Sequence, residues 1–167
     1  MTSTGSAPVR LRTDDGVACR LAAAAADRAV HHEIRRSVFV GEQGVFHAHD
    51  LDERDDTAAT LHVLGLVDGV PAGTVRLYPL DARAPVGDWQ GDRLAVLPPF
   101  RSRRVGGPLV EFAVRTAARR GGRRMIAHVQ PSNGAFFRRL GWNQLGEELY
   151  VGLPHLLMDI DLTALDL

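Results

Sequence analysis

Apolar residues along this chain fall into short runs broken by glycine, proline and acidic clusters, and the spacing inside the runs switches between strand-like and helix-like. Val17 to Ala23 predicts a first strand, although its alanines would also suit a helix. Asp27 offers an N-cap for a helix carrying Val30, Ile34 and Val38 at four-residue spacing, which puts His31, His32, Arg35 and Arg36 on other faces. That helix runs out in FVGEQGVF, where Gly41 and Gly44 interrupt any regular pattern. Residues 47–56, HAHDLDERDD, are too polar for a core and predict a surface loop. The runs LHVLGLV and AGTVRLYPL flank Asp68-Gly69, a strong signal for a tight hairpin turn. In the second run Val75 and Leu77 alternate with Thr74, Arg76 and Tyr78, so one face is expected to pack on the core.

The loop DARAPVGDWQGD then leads to a strand at Leu94 to Leu97, a turn from Pro98 to Arg104, and a helix with Leu109, Phe112, Ala113 and Ala117 at helical spacing. Gly121-Gly122 ends this helix, and Arg119, Arg120, Arg123 and Arg124 suit the negative end of its dipole. Met125 to Val129 reads as a strand, and Pro131-Ser132-Asn133 as the cap of a short helix, AFFRRLG. Leu145 to Val151 and Leu157 to Leu162 are the last two strands. The whole is an α/β chain with a mixed sheet.

A length of 167 residues suits one domain with a continuous core, expected at 9–167 behind a disordered arm at 1–8. No apolar run approaches the roughly 20 residues a membrane span needs. The 20 basic residues balance the 20 acidic ones, so no global basic field recruits nucleic acid. The single cysteine, Cys19, excludes an internal disulfide, and VACRLAAAA around it suggests a strand or core thiol rather than an activated one. MTSTGSAP lacks the basic and apolar segments of a signal peptide, which points to the cytoplasm.

Strand, basic glycine turn, helix is the geometry of an anion site. The first turn of a helix leaves backbone N–H groups unpartnered at the positive end of its dipole, and a phosphate can accept from them. Gly106 and Gly107 let the backbone approach a ligand, Arg101, Arg103 and Arg104 add charge, and Pro108 fits the opening turn. His47, His49, Asp50, Asp52 and Glu53 read in two other ways, as loop metal ligands or as acids attracting a cationic amine, against the simpler picture of a solvated acidic loop; we expect no metal. Trp89 and Trp142 read as large core or rim residues.

The run RLAVLPPFRSRRVGGPLVEFAV resembles the acetyl-CoA-binding segment of the GCN5-related N-acetyltransferases (GNAT), whose motif is Arg/Gln-x-x-Gly-x-Gly/Ala. Arg101 opens the motif, Arg104 stands at its first glycine position and Gly106 at its second. RRSVFVGEQGVF and VGLPHLLMDIDL resemble a bacterial branch with Arg-x-x-Val-Phe-Val-x-Glu-Gln-Gly and Gly-x-Pro-His-x-x-Met, and QPSNGAFFRRLGW resembles the family's Asn-x-x-x-x-Phe-Tyr-x-x-x-Gly-Phe segment. The resemblance covers nearly the whole chain and implies the GNAT fold, a mostly antiparallel sheet with one splayed parallel strand pair, and acetyl-CoA as cofactor.

It further implies site residues. The pyrophosphate loop is Arg101, Ser102, Arg103, Arg104, Val105, Gly106 and Gly107. The pantetheine arm pairs with Leu94, Ala95 and Val96, where a backbone N–H near Ala95 or Val96 stabilises the developing oxyanion. Asn133, Phe136 and Phe137 lie beside the arm, and Asn133 is also expected to cap the short helix. Glu42 is the first candidate for base or amine-positioning group, and His128 a second, neutral-pH relay; both have plainer readings, a loop cap and a packed core histidine. Phe137 stands where the family often has its leaving-group tyrosine, so Tyr150, His155 or solvent would protonate the thiolate. The expected activity is N-acetyl transfer to a small primary amine. The alternatives are a synthase of the acyl-homoserine-lactone type and a coenzyme A-binding sensor with little turnover. Dimerisation through the last strands is left open.

Overall fold

A computed structural model describes residues 11–13 and 15–167; the predicted arm, 1–8, lies outside them. Eight strands form one sheet in the order β1-β2-β3-β4-β5-β6-β8-β7. They are β1 (Leu11–Arg12), β2 (Val17–Leu21), β3 (Leu61–Val67), β4 (Val70–Pro79), β5 (Asp88–Val96), β6 (Arg124–Val129), β7 (Asn143–Tyr150) and β8 (Leu153–Asp161). Helix α1 (Ala25–Arg35) covers one face, while α2 (Gly106–Arg119) and α3 (Gly134–Arg139) belong to the other. Every neighbouring pair is antiparallel except β5 and β6.

The hairpin appears as expected. Asp68 and Gly69 both take positive φ, 50° and 83°, the pairing a two-residue turn of matching twist demands. The larger core joins Val63, Leu77, Leu109, Phe112, Met125 and Met158 between the sheet and the α2 side, and the smaller one joins Ile34, Val38, Phe39, Leu64, Leu66 and Ala95 beneath α1. Cys19 is buried on β2, which pushes its thiol up to about 12, with Glu111 adding to the effect of burial.

Five expectations change. The helix begins at Ala25 with Ala24 as its N-cap, and Asp27 sits in the first turn facing Arg20 at 3.1 Å. The buried stripe of this segment is His31, Ile34, Arg35, Val38 and Phe39, so His31 and Arg35 face inward rather than outward. The segment also continues as a π-helix over Arg36–Glu42. On β4 both faces are covered, since Thr74, Arg76 and Tyr78 are as buried as Val75 and Leu77. Finally, β5 starts at Asp88, so the second half of the expected loop is strand. Pairing decides that point: Trp89 to Gly91 lie against Leu77 to Pro79, a register that local sequence does not display.

Candidate functional site

The site is made by a failure of pairing. β5 and β6 are bonded in register only at Asp88/Arg124, Trp89/Met125 and Gln90/Ile126, although β5 runs on to Val96 and β6 to Val129. Beyond Gln90 the strands part, leaving that edge of β5 without a ladder partner. A bulge helps: between Thr74 and Arg76 of β4 the register slips, and Arg93 on β5 takes φ 53°. The gap opens into a cavity enclosing about 930 Å³ of empty space, its open mouth included. Its deep walls are apolar, from Val75, Val110, Ala113, Met125, Phe137 and Trp142. Around them stand Gln43, Asp92, Arg93, His128, Gln130, Asn133, Tyr150 and His155.

At one end of β5 the chain makes a 3-10 turn over Pro98–Arg103 and enters α2 at Gly106. Arg104 takes the left-handed conformation, φ 55° and ψ 47°, which explains why this position suits glycine in the motif. No side chain caps α2, and a Cβ on Gly107 would meet nothing within 4 Å, so the helix entrance is open to a ligand. The other arginines of the loop are engaged. Arg101 forms a forked pair with Glu42 at 2.6 and 2.7 Å and reaches Val96 O at 3.1 Å; Arg103 lies 3.3 Å from Asp68.

Glu42 is therefore exposed, outside the cavity wall, and held below the usual carboxylate range by its hydrogen bonds from Arg101. The other three catalytic candidates meet at the cavity. His128 stacks on Tyr150 with centroids 4.6 Å apart and planes 4° from parallel, and Tyr150 meets His155 edge-on at 5.4 Å. Phe137 is buried against Trp142, and Phe136 lies against the Gly106 turn. Both tryptophans are buried. Asn133 sits at the start of α3 but makes no side-chain cap there, contrary to its expected capping role; it is exposed on the cavity wall.

The acidic segment is exposed at most of its positions, as expected, but two of its carboxylates are buried. Asp50 and Asp55 are buried and bind the buried Arg35, through Nε to Asp50 at 2.6 Å and Nη1 to Asp55 at 2.6 Å. Arg76 binds Asp52 and Asp92 at 2.6 Å each. Arg93 reaches Asp50 at 3.1 Å, Asp52 at 3.3 Å and the Tyr150 hydroxyl at 3.3 Å. Three arginines thus tie α1, the 47–56 segment, β4 and β5 into one network that fixes the mouth of the gap. Asp50, Asp52 and Asp55 are spent on these arginines, which leaves Glu53 and Asp56 as the exposed acids of the segment outside this network. His47 and His49 remain exposed, while Asp50 faces inward.

His32, Asp55 and His62 offer ligand atoms within 4.8 Å of one another. Arg35 Nη1 already lies 2.6 Å from Asp55 Oδ1 and 3.4 Å from both His32 Nδ1 and His31 Nε2, so a guanidinium serves as the cation of this cluster. Gln43, Asp92, Arg93 and Gln130 were not visible as site residues. Only the turn of Arg93 into the gap, set by the bulge, brings it there, and Gln130 joins Gln43 across the mouth at 3.0 Å.

A model of the Acetyltransferase (GNAT) family matches residues 31–142, which contain the α1 network, the splayed strands and the loop. The chain belongs to that family. The uncharacterized N-acetyltransferase YjcF of Bacillus subtilis is 29% identical over 127 residues, covering 75% of this chain and 86% of that one. Among solved structures, an acyl-CoA N-acyltransferase from Pseudomonas aeruginosa superposes with a TM-score of 0.70 at 23% identity, over 86% of this chain and 97% of that one. BjaI, a CoA-dependent acyl-homoserine lactone synthase, gives 0.64 at 18% identity, over 81% and 75%. These likenesses establish the GNAT fold. Among the described residues, no helix is long and apolar enough to cross a membrane.

Proposed function

We propose that this GNAT protein is a cytoplasmic N-acetyltransferase that moves an acetyl group from acetyl-CoA to the primary amine of a small molecule, by direct attack in a ternary complex. The observation that carries the reading is the gap beyond Gln90 and Ile126, open onto a cavity with His128 on its wall. The residues fit the cofactor: an uncapped helix entrance with Gly107 free for a diphosphate, and an unpaired strand edge for the amide arm. Bound acetyl-CoA supplies an acyl carbon activated as a thioester. Arg104, Val105, Gly106 and Gly107 hold the diphosphate, with Ser102 at the rim. The edge from Leu94 to Val96 holds the arm and offers a backbone N–H to the carbonyl oxygen as it becomes negative.

The amine attacks as the free base. As the N–C bond forms and the C–S bond breaks, His128 accepts the proton that the amine loses. Tyr150, whose hydroxyl Arg93 holds, or His155 returns a proton to the departing thiolate. Titration calorimetry with acetyl-CoA, followed by thiol release across a panel of amines, tests the proposal. Binding together with amine-dependent release supports it. Binding with no release for any amine selects the sensor reading instead.

The apolar depth of the cavity favours a second reading, transfer of a longer acyl chain as in a synthase of the acyl-homoserine-lactone type. Val110, Ala113, Phe137 and Trp142 would line such a chain. A series of thioesters from acetyl to octanoyl at a fixed amine decides between them: kcat/KM rising with length selects the longer acyl group.

A further inference from the structure

We propose that Glu148 and Tyr150, both on β7, position His128 as the general base; this rests on the acyltransferase reading above. His128 Nε2 lies 2.9 Å from Glu148 Oε2. An ionised carboxylate can only accept, so the hydrogen between them belongs to Nε2. A neutral imidazole carries one N–H, and Nδ1 is therefore the lone-pair nitrogen. That atom is out of solvent and has no partner in the protein, while the ring itself lines the cavity. A buried polar atom without a partner is uncommon in a finished fold, and a ligand N–H arriving in the cavity would satisfy it.

The plane of the ring is held as well. Tyr150 lies parallel to it at 4.6 Å, and the Tyr150 hydroxyl accepts from Arg93 Nη1 at 3.3 Å. Arg93 in turn is fixed by Asp50 and Asp52, so His128 is coupled to the buried network through two contacts. When Nδ1 takes the amine proton, the new imidazolium faces Glu148 across an existing hydrogen bond. The carboxylate thus selects the tautomer that can act as a base and then stabilises the charge it acquires. Among the described residues, this is the histidine on the cavity wall whose ring nitrogen contacts a carboxylate.

The test has two arms. Long-range proton–nitrogen NMR of the protein without substrate, assigned with His128→Gln, should show the Nε2–H tautomer in wild type and in Glu148→Gln, whose amide oxygen still accepts, and a mixture in Glu148→Ala. An Nδ1–H tautomer in wild type would overturn the proposal whatever the activity. In turnover, Glu148→Ala should lower kcat about 100-fold and Glu148→Gln about 10-fold, with acetyl-CoA affinity unchanged by calorimetry. The acid limb of kcat/KM should move to lower pH in Glu148→Gln, because a negative charge beside the imidazole is gone; a packing role would not move it. Tyr150→Phe should retain more activity than Tyr150→Leu, since only the former keeps the stack. Wild-type kcat in Glu148→Ala overturns the proposal. Failure of wild type to bind acetyl-CoA overturns the acyltransferase reading instead, while the tautomer still reports on the dyad.

Discussion

Lowering the pH from 7 to 5 should remove a large part of the protein's stability, through His31 and His62. Both are buried, on α1 and β3 respectively. His31 Nδ1 donates to Val63 O at 3.0 Å, which leaves Nε2 to accept from His62 Nδ1 at 3.3 Å. Each ring is therefore held neutral. Burial is the main cause, reinforced for His31 by Arg35 and for His62 by Arg28, with Asp55 opposing the latter. His31 is lowered from 6.5 to about 2 and His62 to about 4. Between pH 6.5 and 4 the unfolded chain binds protons that the folded one refuses, so stability falls as pH falls. At pH 5 each histidine accounts for about 2 kcal/mol and the pair for about 4, against a typical total of 5–15. Carboxylates held low by arginines, such as Asp55, add to the loss only below their ordinary range, so the window isolates the histidines. Urea unfolding followed by fluorescence of the buried Trp89 and Trp142 at pH 7, 6 and 5 measures the slope. His62→Gln should lower it, leaving the part carried by His31 and by His32, which burial and Arg35 also hold below 6.5. A stability at pH 5 within about 1 kcal/mol of that at pH 7 would refute the reasoning.

Arg35→Met should destabilise by about 3–5 kcal/mol in the same assay, because Asp50 and Asp55 would remain buried without their shared cation. Gly73→Ala should cost about 1–3 kcal/mol, since its Cβ would lie 2.7 Å from the Ala95 carbonyl oxygen and 2.9 Å from a Leu109 methyl. Gly106→Trp should leave unfolding cooperative, because its Cβ meets only the Phe136 ring at 3.4 Å, yet abolish acetyl-CoA binding by calorimetry; retained affinity would move the diphosphate away from this turn. Arg104→Val should cost about 1–2 kcal/mol more than Arg104→Gly, as a branched side chain at φ 55° is strained; equal stability would argue against that backbone.

The elements that depend on neighbours were legible from the residues themselves. The Asp68-Gly69 turn, the period of α2 and the glycine-lined helix entrance are written within a few positions of one another, where local sterics and capping act. The inward face of α1 was present too, as the spacing 31, 34, 35, 38, 39, but two of its members are polar and read as solvent-facing. Nothing local told that they would be buried. Arg35 finds Asp50 and Asp55 across 15 and 20 residues, Arg93 finds Tyr150 across 57, and each pair is stable out of water only because the other partner arrives. The opening between β5 and β6, the turn of Arg93 into it, and the meeting of His128 with Glu148 depend likewise on strand register, and register is decided when the whole sheet assembles. The chain's own order of residues thus determined a mixed sheet with an uncapped glycine turn at the entrance of α2; tertiary pairing decided which charged groups are buried and which histidine nitrogen is left without a partner.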